Sequence, residues 1–156
     1  MPASPELIRG CQAGDPSAFA GVVETHKDDV YTLCLRAIGQ AERAEALAEQ
    51  VFLAAHQAIV RLDPETPLLL WLLGLTIEHV TEPVPATNTD DDSMLVNAVL
   101  ADLEPPFRMA VILRDVLLLE EADVAAVLNI PTGTARSRIH RGRLTMARNL
   151  VSKVGE

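Results

Sequence analysis

Aromatic residues are scarce in this chain of 156 residues, at 3%. With hydrophobic residues nevertheless at 49%, the core has to be built from Leu, Ala, Val and Ile, which suits helices packed on helices and sets the expectation of an all-α fold. Cysteine is equally sparse. Cys11 and Cys34 are too few for a disulfide framework and fall inside helical patterns, so both are expected to be reduced core residues. The four histidines show no metal-ligand spacing with one another or with the cysteines, so no metal site is expected. No run of 18 apolar residues occurs, and the opening Met-Pro-Ala-Ser-Pro-Glu lacks the basic start and apolar core of a secretory signal; a cytoplasmic protein with no membrane role is expected. There is no nucleophile–base pair and no glycine-rich phosphate loop, and Gly14 and Gly21 stand alone. The sequence therefore reads as neither an enzyme nor a cofactor carrier.

Charge is present but unevenly placed. Residues 1–92 carry 5 Lys+Arg against 15 Asp+Glu (net -10), whereas residues 93–156 carry 8 against 7 (net +1), together the -9 of the whole chain. Phosphates would be repelled by the first part, so any nucleic-acid affinity has to come from the second.

Caps and breaks divide the chain into two sets of four helices. A helix from about Ser4 to Ala13 ends at Gly14, and Asp15-Pro16 supplies an N-cap with proline at the first helical position. The next runs to Gly39, with Phe19, Val22, Val23, Val30, Leu33, Cys34 and Ala37 as its expected buried face. A third, from about Ala41 to Leu62, stops at Asp63-Pro64, and a fourth begins at Thr66-Pro67 and ends near Val80. Residues 81–92, with two prolines and a run of three aspartates, lack helical periodicity and read as a flexible linker between domains at 1–80 and 93–156. After it, Ser93 is expected to cap a helix to about Leu103, Glu104-Pro105-Pro106 to break it, and Phe107–Leu117 to form the next.

The most informative stretch is Pro131-Thr-Gly-Thr-Ala-Arg-Ser-Arg-Ile-His-Arg-Gly-Arg143. Ala135, Ile139, Gly142 and Met146 recur at helical steps and predict one buried face, leaving Arg136, Ser137, His140, Arg141 and Arg143 outward. Glu121–Leu128 predicts a short amphipathic helix before it, and Asn129-Ile130-Pro131 the turn: a helix-turn-helix, with Gly133 expected to permit close approach of its two helices. From Val124 to Gly155 there are six basic side chains and no carboxylate, whereas a merely solvated helix usually mixes signs. The pattern points to duplex DNA.

Read in this order, the chain resembles an extracytoplasmic-function (ECF) sigma factor of the sigma-70 family. Three segments carry the resemblance: Leu7–Phe19, Glu45–Leu53, and Leu100 through Arg143, whose Pro131-Thr-Gly-Thr-Ala-Arg-Ser-Arg-Ile-His-Arg is close to the family's wording for the helix that reads the minus 35 promoter element. The resemblance implies a region 2 that holds core RNA polymerase and melts the minus 10 element, and a region 4 that reads duplex promoter DNA during bacterial transcription initiation. It assigns DNA contacts to Thr134, Arg136, Ser137, His140, Arg141 and Arg143, with Arg138 either a contact or the partner of an acid such as Glu120 or Asp123. It also assigns polymerase binding to Glu45, Leu47, Glu49, Gln50 and Phe52, weakened because Ala46 and Gln50 stand where the family usually has acids.

The fourth helix departs from the family. Trp71, Leu72, Leu75 and Leu68 fill the usual core face, but Leu69, Leu73 and Ile77 occupy the face that should be polar toward single-stranded DNA. Glu78 and Glu82 add repulsion, and His56 stands where the family often has tryptophan. A helix apolar all round is buried on more than one side, so Leu69, Leu73 and Ile77 are expected to form a protein interface: with region 4 in a closed monomer, with a second copy in a homodimer, or with an anti-sigma factor. Two functions compete. One is a sigma-factor-like regulator that binds promoter DNA with weakened minus 10 recognition and melting. The other is a sigma-factor mimic that binds an anti-sigma factor, or itself, through that apolar surface. Beside these stands a third option, a stand-alone helix-turn-helix repressor or activator that dimerises through the leucine-rich helix.

Overall fold

The computed structural model describes residues 4–80 and 91–154, with side-chain surroundings for 4–80 and 95–152. All regular structure among the described residues is helical, and none of these helices is long and apolar enough to cross a membrane. Two small helical domains are joined by the segment 81–90, so most of the expected linker lies outside the described residues.

The N-terminal domain holds α1 (Ser4–Gln12), α2 (Pro16–Ile38), α3 (Ala41–Ala58), a 3₁₀ turn (Ile59–Arg61) and α4 (Leu68–His79). Local chemistry sets the ends of α2. The Asp15 side chain accepts from the Ser17 N–H at 2.9 Å, Pro16 occupies the first turn, and Gly39 closes the helix at φ 82°. Ile8, Val22, Val30, Cys34, Val51 and Leu72 are fully buried in this domain's core. Phe19 and Val23, expected inside, are only half-buried, because they border an open groove between α2 and α3. Cys11 and Cys34 are both free thiols, and burial pushes that of Cys34 up to about 12.

The C-terminal domain holds α5 (Asp91–Ala101), α6 (Pro105–Val111), a π-helical turn (Ile112–Val116), α7 (Glu121–Leu128) and α8 (Thr132–Val154). Three expectations need correction. The first helix starts at Asp91 and not after a Ser93 cap. The break expected before Phe107 is present, but Pro105 and Pro106 already form the first turn of α6, which starts two residues earlier than expected, since a first turn needs no N–H donors. The helix expected to run to Leu117 changes register after Val111, where the Leu117 N–H reaches back to the Ile112 carbonyl at 3.0 Å. Buried Arg108, 3% exposed, ties α6 to the end of α5 by donating to the Leu100 and Leu103 carbonyls at 3.0 and 2.7 Å.

The two domains share one apolar cluster. Leu33 and Ala37 of α2 and Leu73 of α4 are buried together with Leu100, Leu103, Leu113, Val124 and Ala125 of the C-terminal domain, while Leu69 and Ile77 pack against its edge. A Cβ at Gly74 would lie 3.6 Å from the Val127 carbonyl oxygen, so α4 and α7 are in ordinary contact there. One polar bond also crosses: the Arg36 guanidinium donates to Asn97 Oδ1 at 3.0 Å. Asn97 is 2% exposed, and among the described residues its Nδ2 has no hydrogen-bond partner.

Candidate nucleic-acid interface

The turn of the helix-turn-helix is built by Asn129, which adopts φ 56° and donates its N–H to the Ala126 carbonyl at 3.3 Å. Asparagine tolerates this left-handed conformation better than most residues. The chain then enters α8, whose Ala135, Ile139 and Gly142 are buried and whose Met146 packs half-buried against the shared cluster. The glycine that permits close packing is Gly142, not Gly133. A Cβ at Gly142 would lie 2.5 Å from Val111 Cγ2 and 3.2 Å from the Phe107 carbonyl, whereas one at Gly133 would meet nothing within 4 Å.

The opposite face of α8 displays Arg136, Ser137, His140, Arg141 and Arg143, all exposed, while Thr134 in the first turn is half-buried. The arginines are not loose. Arg136 Nε donates to Glu121 Oε2 at 2.8 Å, and Arg143 makes a bidentate pair with Asp115, its Nε 2.9 Å from Oδ2. This carboxylate raises the Arg143 guanidinium above its ordinary value. Arg141 lies over the Phe107 ring, 5.2 Å from its centroid. Arg138, expected either to contact DNA or to pair with an acid such as Glu120 or Asp123, is half-buried, and ion pairs on this helix form at Arg136 and Arg143, through Glu121 and Asp115. Sequence reading missed Phe107, Asp115 and Glu121 as partners because they come from three separate elements folded onto α8.

In the N-terminal domain, Glu45, Glu49 and Gln50 are exposed and Phe52 is half-buried on α3, but Leu47 is only 6% exposed and belongs to the domain core. Leu47 packs in the domain core and supports α3 from behind. Phe19, Val23, Tyr31, Phe52 and the 68%-exposed Leu53 border the open groove of about 880 Å³ between α2 and α3, rimmed by Glu45 and Glu49. His56 meets Phe19 edge-on there, with ring centroids 4.7 Å apart. On α4, Leu73 is fully buried and Leu69 and Ile77 are half-buried, leaving exposed Glu78 as the polar residue at the end of that face. Among the described residues no cluster of His, Cys, Asp or Glu could hold a metal ion.

Comparison with known proteins agrees with this geometry. Residues 93–146 match the family model described as "Sigma-70, region 4". The chain is 27% identical to the ECF RNA polymerase sigma factor SigW of Bacillus subtilis (strain 168), over 92% of this chain and 94% of that protein. It is 33% identical to the ECF RNA polymerase sigma factor SigE of Mycolicibacterium smegmatis, over 86% of this chain and 62% of that longer protein. Its fold is similar to that of CnrH, solved in complex with the cytosolic domain of CnrY, with a TM-score of 0.86 at 20% identity over 97% of this chain and 99% of that one. It is also similar to the sigma factor RpoE from Bartonella quintana, solved with the anti-sigma factor NepR, with a TM-score of 0.73 at 17% identity over 86% of this chain and 96% of that one. A helix-turn-helix with a basic outer face, a matching region 4 and full-length likeness to sigma factors place this chain in the sigma-70 family, as a sigma factor of the ECF type.

Proposed function

We propose that this non-catalytic regulator of transcription binds duplex promoter DNA of the minus 35 type through Arg136, Ser137, His140, Arg141 and Arg143, with Thr134 at the helix start. The exposed basic face of α8 carries this reading. Arginine suits bidentate contact with guanine, and serine and histidine suit phosphate or base edges. The domain boundaries that fit are 1–80 and, with the start moved from the expected 93 to the beginning of α5, 91–156; the site of action is the cytoplasm, where bacterial RNA polymerase works. Region 2 is weakened for the minus 10 element, because the α4 face expected to meet single-stranded DNA presents Leu69, Leu73 and Ile77 to the C-terminal domain instead. Core polymerase is held through Glu45, Glu49, Gln50 and Phe52 on α3.

A mobility shift with random duplex DNA at low and moderate salt tests the DNA contact. Wild-type binding that weakens with salt, and is abolished by Arg141→Glu without loss of helicity, is expected. An Arg141→Glu variant that binds as well as the parent would refute it.

The α2–α3 groove favours a second reading, in which an anti-sigma factor binds the N-terminal domain. Its apolar floor and exposed Leu53 remain open while the α4 stripe is already covered. RpoE, which has a similar fold, was solved with such a partner. Under this reading Leu53→Asp lowers capture of the anti-sigma factor and leaves duplex DNA binding unchanged.

A further inference from the structure

Three outward arginines of α8 are each restrained by a residue from a different element: Arg136 by Glu121 at the start of α7, Arg141 by Phe107 of α6, and Arg143 by Asp115 in the π-helical turn. A long, solvated arginine side chain ordinarily samples many rotamers, and fixing it on binding costs roughly 1–2 kcal/mol. Here that freedom is reduced before any ligand arrives. We propose that Glu121, Phe107 and Asp115 are positioning residues that preorganise the arginines of α8 and thereby set how sharply this chain discriminates one duplex sequence from another. The inference rests on the reading of α8 as the duplex-binding helix.

The geometry favours positioning over simple neutralisation. Glu121 engages Arg136 through Nε, and the Nη1/Nη2 edge can still make a bidentate contact with guanine O6 and N7. Asp115 takes Arg143 side-on through Nε and Nη2, fixing the plane of the guanidinium. Both arginine side chains remain open to solvent, at 68% for Arg136 and 51% for Arg143, so each can meet DNA without leaving its carboxylate. The π-helical turn is what makes the Asp115 contact: its wider register turns the chain between Val111 and Leu117, where a regular helix was expected. The two carboxylates also oppose phosphates nearby. Neutralising them therefore has two separable effects, tighter binding to any duplex and poorer choice among duplexes.

The test uses the full chain. A pool of duplexes randomised over about one helical turn is selected against the wild-type protein. Dissociation constants are then measured for the enriched duplex and for a scrambled duplex of the same composition, with wild type, Asp115→Asn, Glu121→Gln and the double variant. Binding to the scrambled duplex should tighten in the variants, while the ratio of enriched to scrambled affinity falls about tenfold in the double variant. Equal tightening on both duplexes, with the ratio unchanged, would overturn positioning and leave the carboxylates as competitors of phosphate. Arg136→Ala and Arg143→Ala test the underlying reading separately: if both bind the enriched duplex like the parent, α8 is not the duplex-binding helix. Helicity and melting temperature accompany each variant, and because exposed ion pairs contribute little to stability, the single substitutions carry the test if the double one fails to fold. A pool that yields no enriched sequence also overturns the proposal.

Discussion

Replacing Leu73 with aspartate places a carboxylate where the two domains meet. Leu73 is 0% exposed and lies in one cluster with Leu33 and Ala37 of α2 and with Leu100, Leu103, Leu113, Val124 and Ala125 of the C-terminal domain. Losing the buried leucine contacts alone costs about 2–5 kcal/mol, judged from leucine-to-alanine changes. An unpaired carboxylate in the same place adds several kcal/mol more. Among the described residues the Arg36–Asn97 bond is a polar link across this interface, and it does little to offset an unpaired carboxylate. Opening should therefore relieve the strain, since it returns residue 73 to water while Leu68 and Leu72 stay buried in the N-terminal core and hold α4 in place. A compact chain of this length has a radius of gyration of roughly 15 Å, so small-angle scattering on the monomer peak should show a clear increase with far-ultraviolet helicity retained. Leu73→Ala should give a smaller shift in the same direction. An unchanged radius with unchanged stability would show that the stripe does not hold the domains together. Loss of helicity in the N-terminal half would show that Leu73 serves that domain's own core.

Gly142→Ala should destabilise the C-terminal domain by about 1–2 kcal/mol in a thermal or urea melt: overpacking against the stiff Val111 side chain and the Phe107 backbone outweighs alanine's better helix propensity of about 1 kcal/mol. The same change should loosen Arg141 from Phe107 and weaken duplex binding, whereas Gly133→Ala should leave the packing of α7 and α8 intact. Leu118→Gly should stabilise the chain by up to about 1 kcal/mol, because Leu118 sits at φ 61° and 74% exposed, a conformation that burdens an L side chain and that glycine adopts freely. A lower melting temperature for Leu118→Gly would mean that its side chain makes contacts outweighing the backbone strain.

Periodicity and capping made much of the fold legible. Asp15-Pro16, Gly39 and Asn129 mark helix ends by backbone chemistry that depends only on local sequence, and the structure places ends there. The all-apolar α4 also signalled that Leu73 needs cover, although the sequence alone left three candidates for what covers it. Misses cluster where tertiary contact decides. The break at Glu104-Pro105-Pro106 was legible, but not that the prolines themselves form the first turn of the next helix, where no donor is needed. The π-helical register at Ile112–Val116 has no short-range signature and redirects Asp115 toward Arg143. Helical period placed Gly142 on the buried face of α8, where the structure has it, but close approach was expected at Gly133, and only packing against Val111 shows that Gly142 is the glycine that matters. At the candidate site, the outward arginines follow from helical phase, but their partners are 15 residues away for Arg136 and 28 for Arg143, beyond the reach of any periodic pattern.

Reconstitution with bacterial core RNA polymerase addresses most directly whether duplex recognition is separated from promoter melting in this chain. Promoter fragments bearing the duplex selected by α8 would be scored both for retention by the polymerase and for strand separation, read by permanganate reactivity of thymines downstream. Retention that depends on Arg141, without permanganate-reactive thymines, is the expected result. Strand opening and run-off transcription by the unmodified chain, at the level of an ordinary ECF sigma factor, would contradict it.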